Sequence, residues 1–523
     1  MTKLNRKWIV AALVALALGC LCMTGCGGSS DAGGDVEADG NTLVYGSGDY
    51  TAINPALFEH GEINLLLFAG LTAHDENDKV IPALAEEWQF DKESNTYKFT
   101  LKEGLTFHDG EPLTAEDVKF TIEAIQNPDN ASENASNFED VKEVKVVDDT
   151  HVDIVLTAPN EAMPDYLTIG ILPKHLLEGK DMTTDEFNQN PVGAGPYKLA
   201  SWDMGQSIVM EKFDGYYAGE PKIDKVVFKI VEDYDTRALQ LESGELNFAQ
   251  ITPKAEEKFK DAEGFSVYEM TTADYRGIMY NFNYPLFKKH RELPAALSYA
   301  IDRKAIIDSV LLGKGQVAYS PLQKNEFNEE DVEKYDYDPA KATAALEEAG
   351  WTKNADGIYE KDGDKLEFVI NCKQGDQVRI DMANLCAQYF DKIGVKMTVE
   401  IPAEIDWENQ AAFLIGWGSP FDADDHTYKV FGTDQAANYN FYSNEEVDKA
   451  LKAARETSDK DKRKALYSDF QKAMAKDPAY TFIAYLDAIY AGTSNIKGVT
   501  EDTILGHHGV GIFWNIHEWT IEE

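Results

Sequence analysis

Imidazoles, thiols and carboxylates are the groups in this chain that could do chemistry, and their spacing limits what that chemistry is. His507 and His508 stand side by side between Gly506 and Gly509, and His426 follows Asp422, Asp424 and Asp425. Imidazole nitrogen suits nickel, so these three histidines are the candidate metal ligands. Neighbours in a strand point to opposite faces. His507 and His508 could therefore share one ion only if the flanking glycines fold the segment into a turn. No Cys/His grouping has zinc-site spacing. The sequence also lacks a Gly-x-Ser-x-Gly elbow and a His-Glu-x-x-His helix. Its 92 Asp and Glu residues are too many to single out an acid–base pair. No enzyme activity and no cofactor are expected. His108, beside the Asp109-Gly110 turn, reads as a residue of the fold.

The thiols divide into two groups. Cys372 and Cys386 lie in the body of the chain; a disulfide and two buried free thiols are both open readings. Cys26 belongs to the leader. Lys3, Arg6 and Lys7 precede an apolar run from Trp8 to Leu21, and Met23-Thr24-Gly25-Cys26 follows, then a Gly/Ser stretch. This is the layout of an export signal. Small residues before the cysteine are what a bacterial lipoprotein signal peptidase accepts, and the thiol then takes a diacylglyceryl group. Residues 1–25 are expected to be the signal peptide and 26–40 a flexible tether. Acyl chains hold a membrane by roughly 0.8 kcal/mol per buried CH₂. The expected location is the outer face of the cytoplasmic membrane or, in a diderm, a membrane facing the periplasm.

Beyond the leader no apolar stretch is long enough to cross a bilayer. A chain of 523 residues exceeds the size at which single cores stop growing, about 250–300 residues, so more than one structural unit is expected. Apolar content of 43% supplies the cores. The formal net charge of -43 repels phosphate backbones, and no Lys/Arg cluster forms a nucleic-acid footprint.

The elements that must position these groups are legible in part. Tyr97–Leu101 alternates with period two and reads as a strand. Thr114 is a natural N-cap, and Asp117 at the third position completes an acidic capping box for a helix carrying Phe120, Ile122 and Ile125. Strands are expected at 42–45, 141–147, 152–156, 223–230 and 276–283, and helices at 235–241, 294–307 and 339–349. Then 366–371, 378–393 and 395–401 read strand–helix–strand, which implies an α/β unit. Helices follow at 445–457 and 461–476, before an aromatic-rich end.

One long stretch carries a resemblance. Leu84-Ala85-Glu86-Glu87-Trp88, Tyr97-Lys98-Phe99-Thr100-Leu101-Lys102-Glu103-Gly104 and Phe107-His108-Asp109-Gly110-Glu111-Pro112-Leu113-Thr114-Ala115-Glu116-Asp117-Val118 resemble the family 5 extracellular solute-binding proteins, the peptide- and nickel-binding components of ABC importers. Echoes continue at Gly193-Ala194-Gly195-Pro196-Tyr197, Ser298–Arg303, Tyr337–Ala342 and Ala349-Gly350-Trp351. The resemblance implies an α/β, two-lobed periplasmic-binding-protein-like fold with a double crossover hinge and a ligand cleft between the lobes. Carried onto this chain, lobe one comprises 41–270, lobe two 271–484, and 485–523 returns to lobe one.

The implied task is capture of a peptide by lobe closure and delivery to a membrane permease with its ATPases, by a monomeric receptor. A nickel or metal-chelate receptor and a non-transport surface sensor or adhesion module are the alternatives. The cleft is implied at Asp49, Tyr50 and Asn54 after the first strand, and at Tyr280, Asn281 and Asn283. Trp407, Trp417 and Tyr439 join Tyr50 and Tyr280 as aromatic contacts, with core packing as the competing reading. Dipeptide receptors place an Asp three residues beyond a Trp to pair with the peptide amine; here that step from Trp417 lands on Pro420. Asp422 or Asp424 is the implied replacement, and capping of the next helix is the other reading. Pro294 also stands where family members often carry an Arg.

Overall fold

The computed structural model describes residues 40–58 and 61–523, and Ala38–Glu523 forms one unit by contact. Its spine is an eleven-stranded sheet. In spatial order the main path runs Lys396–Glu400, Glu367–Asn371, Ala412–Trp417, Phe265–Tyr280, Tyr480–Thr493, Phe248–Ile251, Thr42–Ser47, Lys225–Ile230, Ser207–Lys212 and Tyr197–Asp203. Two long antiparallel strands, Phe265–Tyr280 and Tyr480–Thr493, carry the sheet through both lobes. Their register shifts between Thr271 and Tyr275. An irregularity of this kind bends a strand and re-aims its side chains.

The core changes at that bend. Met270, Ala488 and Tyr490 pack with residues 43–248 and with the tail from Ile496 to Trp519. Tyr275, Ile278, Tyr480 and Tyr485 pack with the buried residues between them in sequence. A four-stranded antiparallel sheet of Ala85–Asp91, Thr96–Leu101, His151–Leu156 and Val141–Asp148 completes the first lobe.

Local signals act as their chemistry requires. Helix Ala115–Gln126 starts at Thr114, whose backbone N–H donates to Asp117 at 2.9 Å, closing the capping box. Glu367–Asn371 and Lys396–Glu400 are parallel, joined through helix Gln377–Ile393. The expected single helix over 294–307 is instead two, Leu293–Ser298 and Arg303–Val310. Asp302 caps the second by accepting from Ala305 N–H at 3.0 Å. Arg303 turns inward to donate to the carbonyls of Phe482 and Ser298, holding the break shut.

Candidate functional site

The bend between the lobes gathers charge. Register places Arg276 opposite Gly416. Arg379, from the first turn of helix Gln377–Ile393, reaches the same point and donates Nη1 to the Leu414 carbonyl at 3.3 Å. A Cβ on Gly416 would collide with Arg276 Nη1 and lie 2.8 Å from Arg379 Nη2, so both guanidiniums occupy the space that glycine leaves. Arg276 pairs with Asp274, and Arg379 Nε lies 2.9 Å from Asp376. Burial, then the charge of Arg276, lowers Arg379 to about 10.

His507 ties this cluster to the tail. Its Nδ1 lies 2.7 Å from Asp274, and its backbone N–H donates to the Gly418 carbonyl at 3.0 Å. Burial opposes the charge on Asp274, but Arg276 and His507 overcome it and hold the carboxyl far below the usual range. Burial lowers His507 to about 4, so it is a neutral imidazole at pH 7. His508 is also pushed down, by burial and then by His507. His508 has positive φ, so the two rings are not on opposite faces of a strand; their centroids are 3.8 Å apart.

His507 also lines a cavity of about 250 Å³ between the lobes. Lobe one supplies Phe68, His74, Asp165, Tyr216, Tyr217 and Trp514, and the loop after Trp417 closes over them with Gly418, Ser419, Phe421 and His426. The His74 ring stacks on Phe421 at 3.8 Å. Burial raises Asp78, on the same wall, to about 7.

The residues expected from sequence are placed unevenly. Trp407, Tyr439 and Trp417 form an aromatic row, with centroids 4.9 and 6.1 Å apart, that ends against His426 and His507. His426 and His507 line the cavity; His508 adjoins it in sequence. Tyr280 is fully buried in the core of lobe two, where its hydroxyl meets Thr481 at 2.9 Å, which corrects its reading as a cleft residue. Asn281 spends its amide on the carbonyls of Glu408 and Gln410, and Asn283 is exposed. Asn54 is buried and bonds Asn188 and the Ala56 N–H, while Asp49 accepts from Tyr50 N–H and Tyr50 packs against Gly61.

Asp422 and Asp424, the implied partners of a ligand amine, are each paired with an arginine. Asp422 pairs with Arg463, and Asp424 accepts from Arg455 at 2.6 and 3.0 Å. Cys372 and Cys386 are free, buried thiols, each raised to about 12 by burial. Cys26 and the leader lie outside the described residues. Sequence reasoning missed Arg276 and Arg379, because their meeting over Gly416 depends on strand register and is written only in three dimensions.

The comparisons with known proteins agree with this architecture. Residues 79–439 match the family described as bacterial extracellular solute-binding proteins, family 5 Middle, and the chain belongs to that family. It is therefore an exported, non-catalytic binding protein with the two-lobed α/β fold. The oligopeptide-binding protein AppA of Bacillus subtilis is 32% identical, over 98% of this chain and 99% of the relative. Among solved structures, NikZ from Campylobacter jejuni in complex with Ni(L-His) is 38% identical with a TM-score of 0.87, covering 92% of this chain and 99% of that one. AppA from B. subtilis in complex with a nonapeptide is 31% identical with a TM-score of 0.83, with coverage of 92% and 99%.

Proposed function

We propose that the chain is the substrate-binding subunit of an ABC importer, tethered by lipid at Cys26, and that it captures a short peptide by its free carboxylate. The observation that carries this reading is the convergence of Arg276 and Arg379 over Gly416, joined through Asp274 to His507 on the cavity wall. Two guanidiniums side by side form a fork for carboxylate, the geometry in which arginine outperforms lysine. Ligand size follows from the cavity. At about 250 Å³ it sits below the usual range of roughly 300–1,000 Å³ for drug-sized ligands, which favours a short ligand over a long oligopeptide. Contacts from both lobes would then favour the closed form, which docks on the permease.

A nickel–histidine chelate is the second reading. It is favoured by His426 and His507 on the cavity and by the likeness to NikZ, whose structure holds Ni(L-His). Among the described residues no group of three or more His, Cys, Asp or Glu is arranged to hold an ion. A metal would therefore arrive as cargo already wrapped in amino acids, and their carboxylates would meet the same arginines. A thermal-shift panel of dipeptides, tripeptides, a nonapeptide and nickel with L-histidine separates the readings. Stabilisation by the short peptides alone supports the first. Stabilisation only by nickel with histidine replaces it with the second, and a response to the nonapeptide alone removes both.

A further inference from the structure

The acids after Trp417 have a different task from gripping a ligand. Asp424 is fully buried and neutralised within its own lobe by Arg455, whose guanidinium lies 3.5 Å over the Tyr428 ring. The same two residues reach across the cleft. Tyr166 of lobe one donates its hydroxyl to Asp424. Arg455 Nη1 lies 3.2 Å from Glu139 and 3.4 Å from Asp140, both on lobe one. Two backbone amides cross at the same place: Glu161 N–H donates to the Arg455 carbonyl at 3.0 Å, and Asp422 N–H donates to Asp165 at 3.2 Å.

From this geometry we infer that Asp424 and Arg455 form a ligand-independent clasp, with Tyr166, Glu139 and Asp140 as its catch on lobe one, and that the clasp sets how far the empty protein stays shut. Its construction suits a reversible device. Removing one member of a buried ion pair is costly because a charge is left without a partner. Here opening separates no such pair, since Asp424 and Arg455 leave together on lobe two. Opening breaks the Tyr166 hydroxyl bond, the Arg455 contacts to Glu139 and Asp140 and the two backbone-amide bonds, and Glu139 and Asp140 return to water. The opening equilibrium is therefore held by contacts of modest strength that lie away from Arg276 and Arg379. Tyr166, Asp140 and Glu139 are positioning residues: they act on the ligand through the lobe equilibrium.

Native-state hydrogen exchange on the ligand-free protein tests this without knowledge of the cargo, so its failure is separate from failure of the peptide or nickel reading. The amides of Glu161 and Asp422 are bonded across the cleft, so parting of the lobes frees them and their rates report that opening. In Asp140→Asn, and independently in Tyr166→Phe, segments carrying these amides are expected to exchange roughly three- to tenfold faster, the scale of one ordinary net hydrogen bond. Strands Thr96–Leu101 and Ala412–Trp417, inside the two lobes, are expected to keep their wild-type rates. Unchanged exchange at Glu161 and Asp422 in both variants overturns the clasp. So does acceleration spread equally through both lobes, which would mark a purely structural role.

Discussion

At Gly416 a hydrogen stands where any other residue places a carbon, and two guanidiniums use the room. Gly416→Ala tests whether that room matters for binding. The clashing atoms are the ends of flexible side chains, so the fold can yield by moving them. The expected result is a thermal midpoint close to wild type with ligand affinity reduced by about tenfold or more, the scale of a charge-assisted hydrogen bond. Calorimetry beside a melting curve reads both, and undiminished affinity would detach the arginines from the ligand. At the same scale, Cys372 and Cys386 are expected to react with a thiol reagent only after denaturant is added, because burial raises both thiols to about 12. Labelling of the folded protein at the denatured rate would contradict this.

Elements place these residues, and His108 shows how one element is pinned. Its Nδ1 accepts from Gly193 N–H at 3.2 Å while its Nε2 faces the Gly195 carbonyl at 3.1 Å, so the Gly193-Ala194-Gly195 turn is clamped by a neutral ring. That turn packs against Leu66, Leu67 and Phe68, and Phe68 lines the cavity. Burial lowers His108 to about 4 against an ordinary value near 6.5. Between those values the unfolded chain binds a proton that the folded chain refuses. The contribution is complete above pH ~6.5 and is lost as pH falls towards 4, by about 3 kcal/mol at the full shift. His108→Gln is expected to melt lower at pH 7.5 but to lose less on acidification to pH 4.5. Parallel curves for wild type and variant would refute the pin.

The same scale explains what was legible in the sequence. Thr114 with Asp117, and the period-two run at Tyr97–Leu101, are local signals and acted locally. Strands Ala412–Trp417 and Tyr480–Thr493 gave no alternation because nearly every residue in them is buried on either face. The helix expected over 294–307 hid its break because Arg303 satisfies carbonyls from a distant strand. Asp422 and Asp424 read as candidate ligands since their arginine partners, Arg463 and Arg455, sit on helices further along the chain. The meeting of Arg276 and Arg379 depends on strand register, which spacing along the chain does not encode.

For the whole molecule, the two long strands run through a bend beside which Arg276 and Arg379 meet, and the cavity and the proposed clasp lie where the lobes touch. On the proposed reading, binding and closure are one event with two sets of contacts, one to the cargo and one between lobes. The central claim is that the cargo is held by its carboxylate. The most direct measurement is calorimetric titration of the best short peptide from the panel as free acid and as C-terminal amide, in wild type and in Arg379→Gln. If nickel with histidine is the better cargo, histidine and histidinamide complexes form the pair. The account predicts that wild type binds the free acid at least about tenfold more tightly than the amide and that Arg379→Gln erases the difference. Equal affinity for acid and amide in wild type, or a preference undiminished in the variant, would contradict it.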